Sequence, residues 1–275
     1  MNELFSVKPI DSLHPLLVAF QKANINLGNL LDGGAGSGNV AKHLLHGMAP
    51  KTKCYAFEPF PGNHRFFENL KENIILVPKA LAEREKIGRF YVRQTVSENS
   101  KWANGKLSGY SSIGFLTDCE DLPGDYFDVP CVRADEELPE DANIGVIKLD
   151  LQGGELNALK GMTRLLPSVA LMWVEFSGQK GLIDFIEDND FMVFDTPYLF
   201  LGDPTDEAER HFNVLKKDMP LSTGKTAWTG LKRKSWKRYD AEFAEFRKTL
   251  NLIQTDLVCV NKSRIDDFIK ALSFL

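Results

Sequence analysis

The chain of 275 residues contains 43% hydrophobic and 26% charged residues, which is the composition of an ordinary globular protein. These values exclude a disordered, collagen-like or coiled-coil chain. The formal net charge of -5 has the wrong sign for a protein whose whole surface binds nucleic acid. We therefore expect one folded domain over residues 1–275, with residues 1–27 forming a helical N-terminal extension.

The start of the chain and its apolar runs argue against export and membrane insertion. Glu3 places an acid in a region where a signal peptide is positively charged, and the apolar run 15–20 is too short for a signal-peptide core. The run 169–174 is far shorter than the roughly 20 apolar residues that a membrane span needs. The four cysteines form no Cys-x-x-Cys pair, so we interpret them as reduced thiols. We expect a cytoplasmic protein without a membrane anchor.

Short apolar runs alternate with longer amphipathic ones along the chain, as they do when helices connect parallel strands. The predicted strands are 29–32, 53–58, 74–77, 87–93, 129–133, 145–150, 169–175, 191–195 and 256–260. The predicted helices are 40–47, 63–71, 155–166, 181–188 and 264–272. This order predicts an α/β fold, in which strand 87–93 is an exposed extra strand with a structural role.

Two long stretches lack regular periodicity. Residues 94–128 are rich in Ser, Gly, Asn and Asp, and we predict a loop insertion there. Residues 196–255 form a polar insertion before the last strand, and their segment 225–248 holds eight basic and three acidic residues. Because an insertion at this point would rise beside the ligand crevice of an open sheet, we interpret it as a substrate cap. The alternative for 225–248 is a solvated charged surface.

A glycine-rich motif, Asp32-Gly33-Gly34-Ala35-Gly36-Ser37-Gly38, lies between the first predicted strand and the first predicted helix. Glycines permit positive φ angles and let backbone N–H groups and the start of the following helix approach a polar or anionic ligand. We therefore assign Asp32, Gly34, Gly36 and Gly38 to a cofactor site. The alternative is a glycine-rich turn that binds nothing.

The spacing of the glycines argues against a dinucleotide as the cofactor, because Asn39 stands where the Gly-x-Gly-x-x-Gly pattern requires glycine. Glu58, at the end of the second predicted strand, can accept hydrogen bonds from both hydroxyls of a ribose. A solvated strand-end acid is the alternative. Pro59, Phe60 and Ala80 complete the predicted cofactor site, and Phe60 is the candidate to cover an adenine.

A third motif follows the strand 145–150, which delivers Asp150 to the carboxyl edge of the sheet. There the carboxylate can contact the cationic end of a cofactor or a substrate hydroxyl. Glu155 can contribute to the same site, or it can simply begin a helix, where negative charge is favoured. Glu175 ends the next strand and is a second candidate acid, with a strand-end ion pair as the alternative.

Three blocks, in this order and spacing, resemble the FkbM family of methyltransferases. They are Leu30-Leu31-Asp32-Gly33-Gly34-Ala35, Tyr55-Ala56-Phe57-Glu58-Pro59 and Ile147-Lys148-Leu149-Asp150-Leu151-Gln152-Gly153-Gly154-Glu155-Leu156-Asn157-Ala158-Leu159-Lys160-Gly161. The resemblance covers residues 30–175 and does not reach the second insertion. Gln152 departs from the family, where an acid is common at this position, while Asp135 and the pair Ser111 and Ser112 are weaker correspondences.

The resemblance implies a class I methyltransferase fold: a seven-stranded, mostly parallel sheet with its last strand antiparallel and helices on both faces. It implies S-adenosyl-L-methionine as the cofactor and, as the reaction, O-methylation of a hydroxyl on a sugar or another small hydroxylated metabolite. An alcohol is a poor nucleophile while it keeps its proton, so we expect Asp150 or Glu175 to act as the base.

Three other interpretations follow from the sequence. A metal site is not expected, because His43 and His46 share a predicted helix without a carboxylate to complete a ligand set. A non-catalytic protein that binds S-adenosyl-L-methionine and engages a partner or RNA through 225–248 is the main alternative. An NAD-dependent oxidoreductase is disfavoured by the glycine spacing. We expect a small-molecule acceptor and not nucleic acid.

Overall fold

The computed structural model of this chain describes residues 10–70, 73–93, 113–117, 126–176, 178–195 and 255–274. The basic segment 225–248, the serine pair Ser111 and Ser112 and nearly all of the predicted cap 196–255 lie outside these residues. The predictions made for them stay predictions.

The described elements follow the alternating order expected for an α/β fold. The strands are β1 (Asn29–Gly33), β2 (Cys54–Phe57), β3 (Ile74–Val77), β4 (Ala80–Leu81), β5 (Lys86–Arg93), β6 (Ile113–Thr117), β7 (Tyr126–Val132), β8 (Ile144–Leu149), β9 (Leu171–Phe176), β10 (Phe191–Asp195) and β11 (Thr255–Asn261). The helices are α1 (Ile10–Lys22), α2 (Asn39–His46), α3 (Pro61–His64), α4 (Ala134–Glu137), α5 (Glu155–Lys160), α6 (Leu182–Asp188) and α7 (Ile265–Leu272).

The chain divides into two compact units. The central unit comprises Gly28–Leu45 and Pro50–Ser168, and the terminal unit comprises Met1–Leu27, His46–Ala49 and Val169–Leu275. The prediction that residues 1–275 form a single domain stays a prediction.

In the central unit, strands β8, β1, β2 and β3 are neighbours in this order and run parallel. All six residues of β8 are buried, because a central parallel strand is covered on both faces. This is why β8 appears in the sequence as a nearly continuous apolar run. Parallel pairing also brings the carboxyl ends of β8, β1 and β2 to one edge of the sheet.

A second, smaller sheet in the central unit has the strand order β4-β7-β5-β6. Strand β5 pairs antiparallel with both β6 and β7, and β4 pairs parallel with β7. Its inner face is apolar: Phe90, Val129 and Cys131 are buried, with Phe60 and Leu116 packed against them. The small sheet therefore has its own core next to the end of β3.

In the terminal unit, β11 lies between β10 and β9 and is antiparallel to both. Helix α1 packs against α7. The ring of Phe268 stacks on that of Phe194 at 6.0 Å and meets that of Phe20 at 6.3 Å, so aromatic contacts join both helices to β10.

The large sheet has seven strands in the order β10-β11-β9-β8-β1-β2-β3. Strands β8, β1, β2 and β3 are parallel, and β11, the last along the chain, is antiparallel to its neighbours β10 and β9. The predicted class I methyltransferase fold, with a mostly parallel seven-stranded sheet and an antiparallel last strand, is thus confirmed. Within the described residues, no helix combines the length and the apolar character needed to cross a membrane.

The predicted strands 74–77 and 191–195 are confirmed at their stated bounds, and the other strand predictions differ only at their ends. The helix predicted at 63–71 is wrong. Helix α3 ends at His64 and is followed by turns, because Phe67 and Leu70 pack their side chains against Gly38. The helix predicted at 155–166 ends at Lys160, where Gly161 approaches the carbonyl of Ala82 so closely that a Cβ would overlap it.

The predicted loop insertion 94–128 contains strand β6 and the start of β7. The first three residues of β7 are exposed, so its apolar alternation is too weak to recognise in the sequence. Strand β5 is more than the exposed structural strand that we expected, since its residue Phe90 is buried and lines the cavity described next.

Candidate functional site

A cavity of about 270 Å³ opens at the carboxyl ends of β1, β2 and β8, within the central unit. In open α/β sheets this edge is where ligands bind. The lining residues are Gly34, Ala35, Gly36, Ser37, Val40, Phe57, Glu58, Pro59, Lys79, Ala80, Leu81, Phe90, Leu116, Lys148, Asp150, Leu151, Gln152 and Gly154. The lining thus brings the three sequence motifs together at one place.

The glycine loop, residues 33–38, has a conformation that requires glycine. Gly34, Gly36 and Gly38 have φ angles of 73°, 57° and 72°, in the left-handed region. A Cβ on Gly34 would overlap the carbonyl oxygen of Asp150, and one on Gly38 would overlap the side chain of Leu70. Gly34 and Gly38 are therefore needed for close packing as well as for backbone geometry.

Most of the loop N–H groups bind within the protein. Those of Gly34 and Ala35 both donate to the carbonyl of Phe57 at 3.1 Å, and that of Gly38 donates to the carbonyl of Ala35 at 2.8 Å. The N–H of Gly36 donates to the carboxylate of Glu58. The loop is therefore fixed against the end of β2, and its shape does not depend on a ligand.

Glu58 lies at the end of β2 and is buried although it lines the cavity. Its Oε2 accepts the N–H of Gly36 at 2.7 Å, and its Oε1 accepts that of Phe60 at 2.9 Å. Burial raises the pKa of Glu58, and the two backbone hydrogen bonds oppose this rise. The side chain of Asn63 also hydrogen-bonds to this carboxylate. A carboxylate has about four acceptor positions, so about one remains for a donor from a ligand.

Asp150 follows β8 and faces the same cavity, with its side chain 40% exposed. Its Oδ1 accepts a hydrogen bond from the side-chain amide of Gln152 at 2.9 Å. Gln152 has a φ of 55°, and this turn folds its amide back towards Asp150. Position 152, where the FkbM pattern often has an acid, therefore supplies a donor to Asp150, which a carboxylate would not.

Glu155 is fully buried, and its carboxylate accepts the N–H of Leu151 at 2.7 Å and that of Gly153 at 3.0 Å. Burial raises its pKa, and the backbone hydrogen bonds oppose the rise. These contacts place Glu155 at the start of α5 and behind the turn that presents Asp150 and Gln152. Glu155 therefore does more than place a negative charge at the start of a helix, because its carboxylate also holds the turn before α5.

Lys148 is a member of the site that the sequence reasoning missed. It lies on β8, lines the cavity and has a side chain that is only 4% exposed. Its Nζ lies 3.0 Å from the Oδ1 of Asp32 and 4.0 Å from the Oδ2 of Asp150. A lone lysine in an apolar strand that precedes an acid was the signal that could have identified it, because a buried ammonium needs partners.

Asp32, Gly38 and Phe60 lie outside the cavity lining given by the described residues. Asp32 is completely buried beneath the glycine loop. Phe60 packs its ring on that of Phe90 at a centroid distance of 6.1 Å, so Phe90 presents the aromatic surface. Of the residues assigned to cofactor binding, Gly34, Gly36, Glu58, Pro59, Ala80 and Asp150 are the ones that line the cavity.

One wall of the cavity is apolar and includes Phe57, Leu81, Phe90 and Leu116. Phe90 and Leu116 belong to the small sheet, and no pattern in the sequence indicated that they lie near the three motifs. Lys79 also lines the cavity, and its Nζ pairs with Glu137 at 2.7 Å.

Two other acids from the sequence analysis lie elsewhere. Glu175 belongs to the terminal unit, where it is buried on β9 opposite Asp256 of β11. Asp135 binds backbone: its carboxylate accepts the N–H groups of Arg164 and Leu165 at 2.9 and 3.2 Å, which gives it a structural role. Among the described residues, no group of three or more His, Cys, Asp or Glu side chains is placed to hold a metal ion.

Several solved structures are similar to this chain. A precorrin-6y C5,15-methyltransferase from Geobacter metallireducens is 14% identical, with 90% of this chain and 86% of that chain covered and a TM-score of 0.38. An rRNA methylase from Streptococcus thermophilus is 10% identical, with coverages of 93% and 97% and a TM-score of 0.39. Fibrillarin from Aeropyrum pernix, crystallised with natively bound S-adenosyl-L-methionine, is 13% identical, with coverages of 70% and 73% and a TM-score of 0.36.

Among curated proteins, no sequence matches this chain significantly. The family described as Methyltransferase FkbM domain matches residues 32–211. The matched range contains the glycine loop, Glu58 and the block around Asp150, which are the segments that form the cavity. Because the match spans well over half of the chain, the protein belongs to the FkbM-domain methyltransferases.

Proposed function

We propose that this protein transfers a methyl group from S-adenosyl-L-methionine to a hydroxyl oxygen of a sugar or another small hydroxylated metabolite. One observation carries the proposal. A single cavity at the carboxyl edge of the sheet combines the glycine loop, the buried carboxylate of Glu58, an apolar wall and the half-exposed carboxylate of Asp150. This set of groups fits the distinct parts of an adenosyl sulfonium.

The residues present fit each part of this cofactor. The acceptor position left on Glu58 suits a hydroxyl of the ribose. The wall that contains Leu81, Phe90 and Leu116 suits a flat, largely apolar base, and Pro59 and Ala80 lie beside it in the lining. Asp32 and Gly38 act indirectly in this proposal, by fixing the shape of the loop.

The charges around the cavity also suit a cation. Glu58 and Asp150 are both acids, and Lys148 is balanced by Asp32 at 3.0 Å. The charge left on the lining groups is therefore negative, which favours a positively charged ligand. Lys79 is likewise paired with an acid, Glu137, at 2.7 Å.

The bound cofactor supplies a methyl group on a positively charged sulfur. The protein has to hold an acceptor oxygen in line with that group and to receive its proton. We assign Asp150 as the group that accepts this proton, because it is the half-exposed carboxylate in the lining. The amide of Gln152 fixes Oδ1 of Asp150 and leaves Oδ2 for the acceptor. Glu175, on β9, stays a prediction as a second base.

Binding of S-adenosylhomocysteine, measured by isothermal titration calorimetry, tests the cofactor site. We expect the affinity to fall sharply in Gly36→Val, since valine is strained at a φ of 57°, and in Glu58→Ala. Glu68→Ala, an exposed acid on the same stretch of chain, is the matched control and should bind normally. Unchanged affinity in both site variants would contradict the assignment.

The acceptor is identified by incubating the enzyme and methyl-labelled cofactor with a pool of hydroxylated metabolites and searching for labelled products by mass spectrometry. A product that carries the label on oxygen would support the proposal. Tight cofactor binding without any labelled product would instead support a non-catalytic binding protein. A label on nitrogen or carbon would contradict the O-methyl assignment while keeping the cofactor site.

A further inference from the structure

The ammonium of Lys148 occupies an unusual place in the central sheet. On β8, Lys148 lies in register with Asp32 of β1, and every neighbour on its strand is buried. A buried charge is costly unless it is paired and hydrogen-bonded. Its environment therefore has to compensate the charge, and the compensating groups indicate what the residue does.

Three acceptor atoms lie within reach of the Lys148 Nζ. They are Oδ1 of Asp32 at 3.0 Å, the carbonyl oxygen of Gly34 at 3.0 Å and that of Gly33 at 3.3 Å. An ammonium has three N–H donors, so these atoms can occupy all of them. Two of the three belong to the backbone of the glycine loop.

Asp32 serves as the counter-charge of Lys148. Its carboxylate is completely buried, and its Oδ1 lies 3.0 Å from the Lys148 Nζ. The ion pair is therefore its main compensation. Burial would lower the pKa of Lys148, but the charges of Asp32 and Asp150 outweigh this effect and raise it. The ammonium thus stays charged and able to donate.

The glycine loop is consequently held from two sides by opposite charges. The Glu58 carboxylate accepts the N–H of Gly36 at 2.7 Å, while the Lys148 ammonium donates to the carbonyls of Gly33 and Gly34. Hydrogen bonds to charged groups are stronger than those between neutral groups. These three hydrogen bonds fix the direction in which the loop backbone faces the cavity.

We propose that Lys148 is a positioning residue of the cofactor site: its ammonium, neutralised by Asp32, holds the carbonyls of Gly33 and Gly34 and so keeps the glycine loop in its binding shape. The proposal rests on the proposed function for the identity of the ligand, but the loop-holding role itself can be measured without any ligand.

The first measurement is hydrogen exchange of the unliganded protein, followed by mass spectrometry of peptides that span residues 33–41. The main variant is Asp32→Leu with Lys148→Met, because removing both partners of a buried ion pair is often nearly neutral for stability. Asp32→Asn keeps the Lys148 nitrogen as a donor to the loop and is the comparison. Lys160→Met, which removes a partly exposed lysine at the end of α5, is the control.

We expect exchange in 33–41 to be about tenfold faster in the double variant, since a hydrogen bond to a charged group contributes about 1.5–3 kcal/mol. Peptides from β8 should keep their protection. The control should exchange in 33–41 within a few-fold of wild type, whereas Asp32→Asn, which leaves the buried Lys148 ammonium without its counter-charge, should exchange faster than the control. If the double variant melts at the wild-type temperature and its loop exchanges at the wild-type rate, the proposal is wrong. Faster exchange spread over the whole sheet would also overturn it.

The second measurement is the affinity for S-adenosylhomocysteine. In the double variant we expect it to be about tenfold weaker or more, by the same loss of a charged hydrogen bond. Asp32→Asn should also bind more weakly than wild type, because it leaves the Lys148 ammonium without its counter-charge. Wild-type affinity in a double variant whose loop exchanges rapidly would refute a role in binding. If the wild-type protein itself does not bind S-adenosylhomocysteine, the proposed function fails, while the exchange result still decides whether Lys148 holds the loop.

Discussion

The carboxylate of Glu58 accepts the backbone N–H of Gly36 at 2.7 Å, and this contact ties the end of β2 to the glycine loop after β1. Its other oxygen accepts the N–H of Phe60 at 2.9 Å. One side chain therefore organises two neighbouring loops around the cavity. In the proposed function the same carboxylate also binds the ribose, so its structural and binding roles have to be separated by experiment.

Two substitutions of Glu58 separate these roles. Glu58→Ala leaves the N–H groups of Gly36 and Phe60 without their acceptor, and each such loss costs about 1–3 kcal/mol. Glu58→Gln keeps one acceptor oxygen and should lose about half as much stability. The free energy of unfolding in urea measures both variants, with Glu68→Ala as an exposed control. Equal stability of the Ala and Gln variants would contradict a role of the carboxylate in holding both loops.

The raised pKa of Glu58 predicts how stability changes with pH. Because burial raises this pKa in the folded state, the folded protein binds the proton more tightly than the unfolded chain does. The contribution of Glu58 to stability therefore falls as pH rises from its ordinary value of about 4.3 through the raised value. Glu58→Gln cannot titrate. The free energy of unfolding of wild type minus that of this variant should thus decrease between pH 4 and pH 7.

Glu155 also has a raised pKa, but it is present in both proteins and cancels in this difference. Asp32 is kept in both proteins as well, and its charge is one of the causes that raise the pKa of Glu58. Urea unfolding at closely spaced pH values provides the measurement. A difference that increases with pH would mean that the folded protein stabilises the ionised form of Glu58, contrary to the assigned direction.

Strands that stand out as apolar runs could be predicted from the sequence. Strands β3 and β8 consist of apolar runs, and the glycine loop lies between a strand and a helix as its spacing requires. The positions of Glu58 and Asp150 follow, because parallel strands end at one edge of the sheet. These features depend on local patterns, which a sequence displays directly.

The rest of the site depends on contacts between distant segments. Phe90 and Leu116 reach the cavity through the small sheet, whose strand β6 shows no clear alternation. Lys148 is 116 positions away from Asp32, its partner across the sheet. Register between β1 and β8 creates that pair, and register is a property of the folded sheet. Sequence reasoning therefore named the residues that face the ligand more readily than those that support them.

Glu155 is predicted to stabilise the turn that presents Asp150. Replacing it by alanine removes the acceptor of two N–H groups, those of Leu151 and Gly153, so we expect a loss of about 2–6 kcal/mol. Glu136→Ala, at an exposed acid of α4, is the control and should change stability by less than about 0.5 kcal/mol. Thermal unfolding of both variants is the measurement. A Glu155→Ala protein as stable as the control would show that the turn does not need this carboxylate.

The close packing at Gly34 predicts that even a methyl group is not tolerated there. Gly34→Ala adds a positive-φ strain of about 1 kcal/mol and also forces the new Cβ against the carbonyl of Asp150. Gly178→Ala is a matched control, because Gly178 has a φ of 85° but no atom within 4 Å of the place where a Cβ would lie. We expect Gly34→Ala to be clearly less stable than Gly178→Ala and to bind S-adenosylhomocysteine more weakly. Similar stability and affinity in the two variants would contradict the steric argument.

Asp150 and Gln152 are predicted to act on turnover more than on cofactor binding. Asp150→Asn keeps the shape of the side chain but cannot accept a proton, and loss of a general base typically lowers kcat by about 10²–10⁴-fold. Gln152→Ala leaves the carboxylate without the amide donor at 2.9 Å and should lower kcat less. Gln152→Glu places a second negative charge beside Asp150 and should be more harmful than Gln152→Ala. Transfer of labelled methyl to the identified acceptor measures turnover, and calorimetry with S-adenosylhomocysteine checks the cofactor site. Wild-type turnover in Asp150→Asn would rule out this residue as the base and leave Glu175 as the next candidate to test.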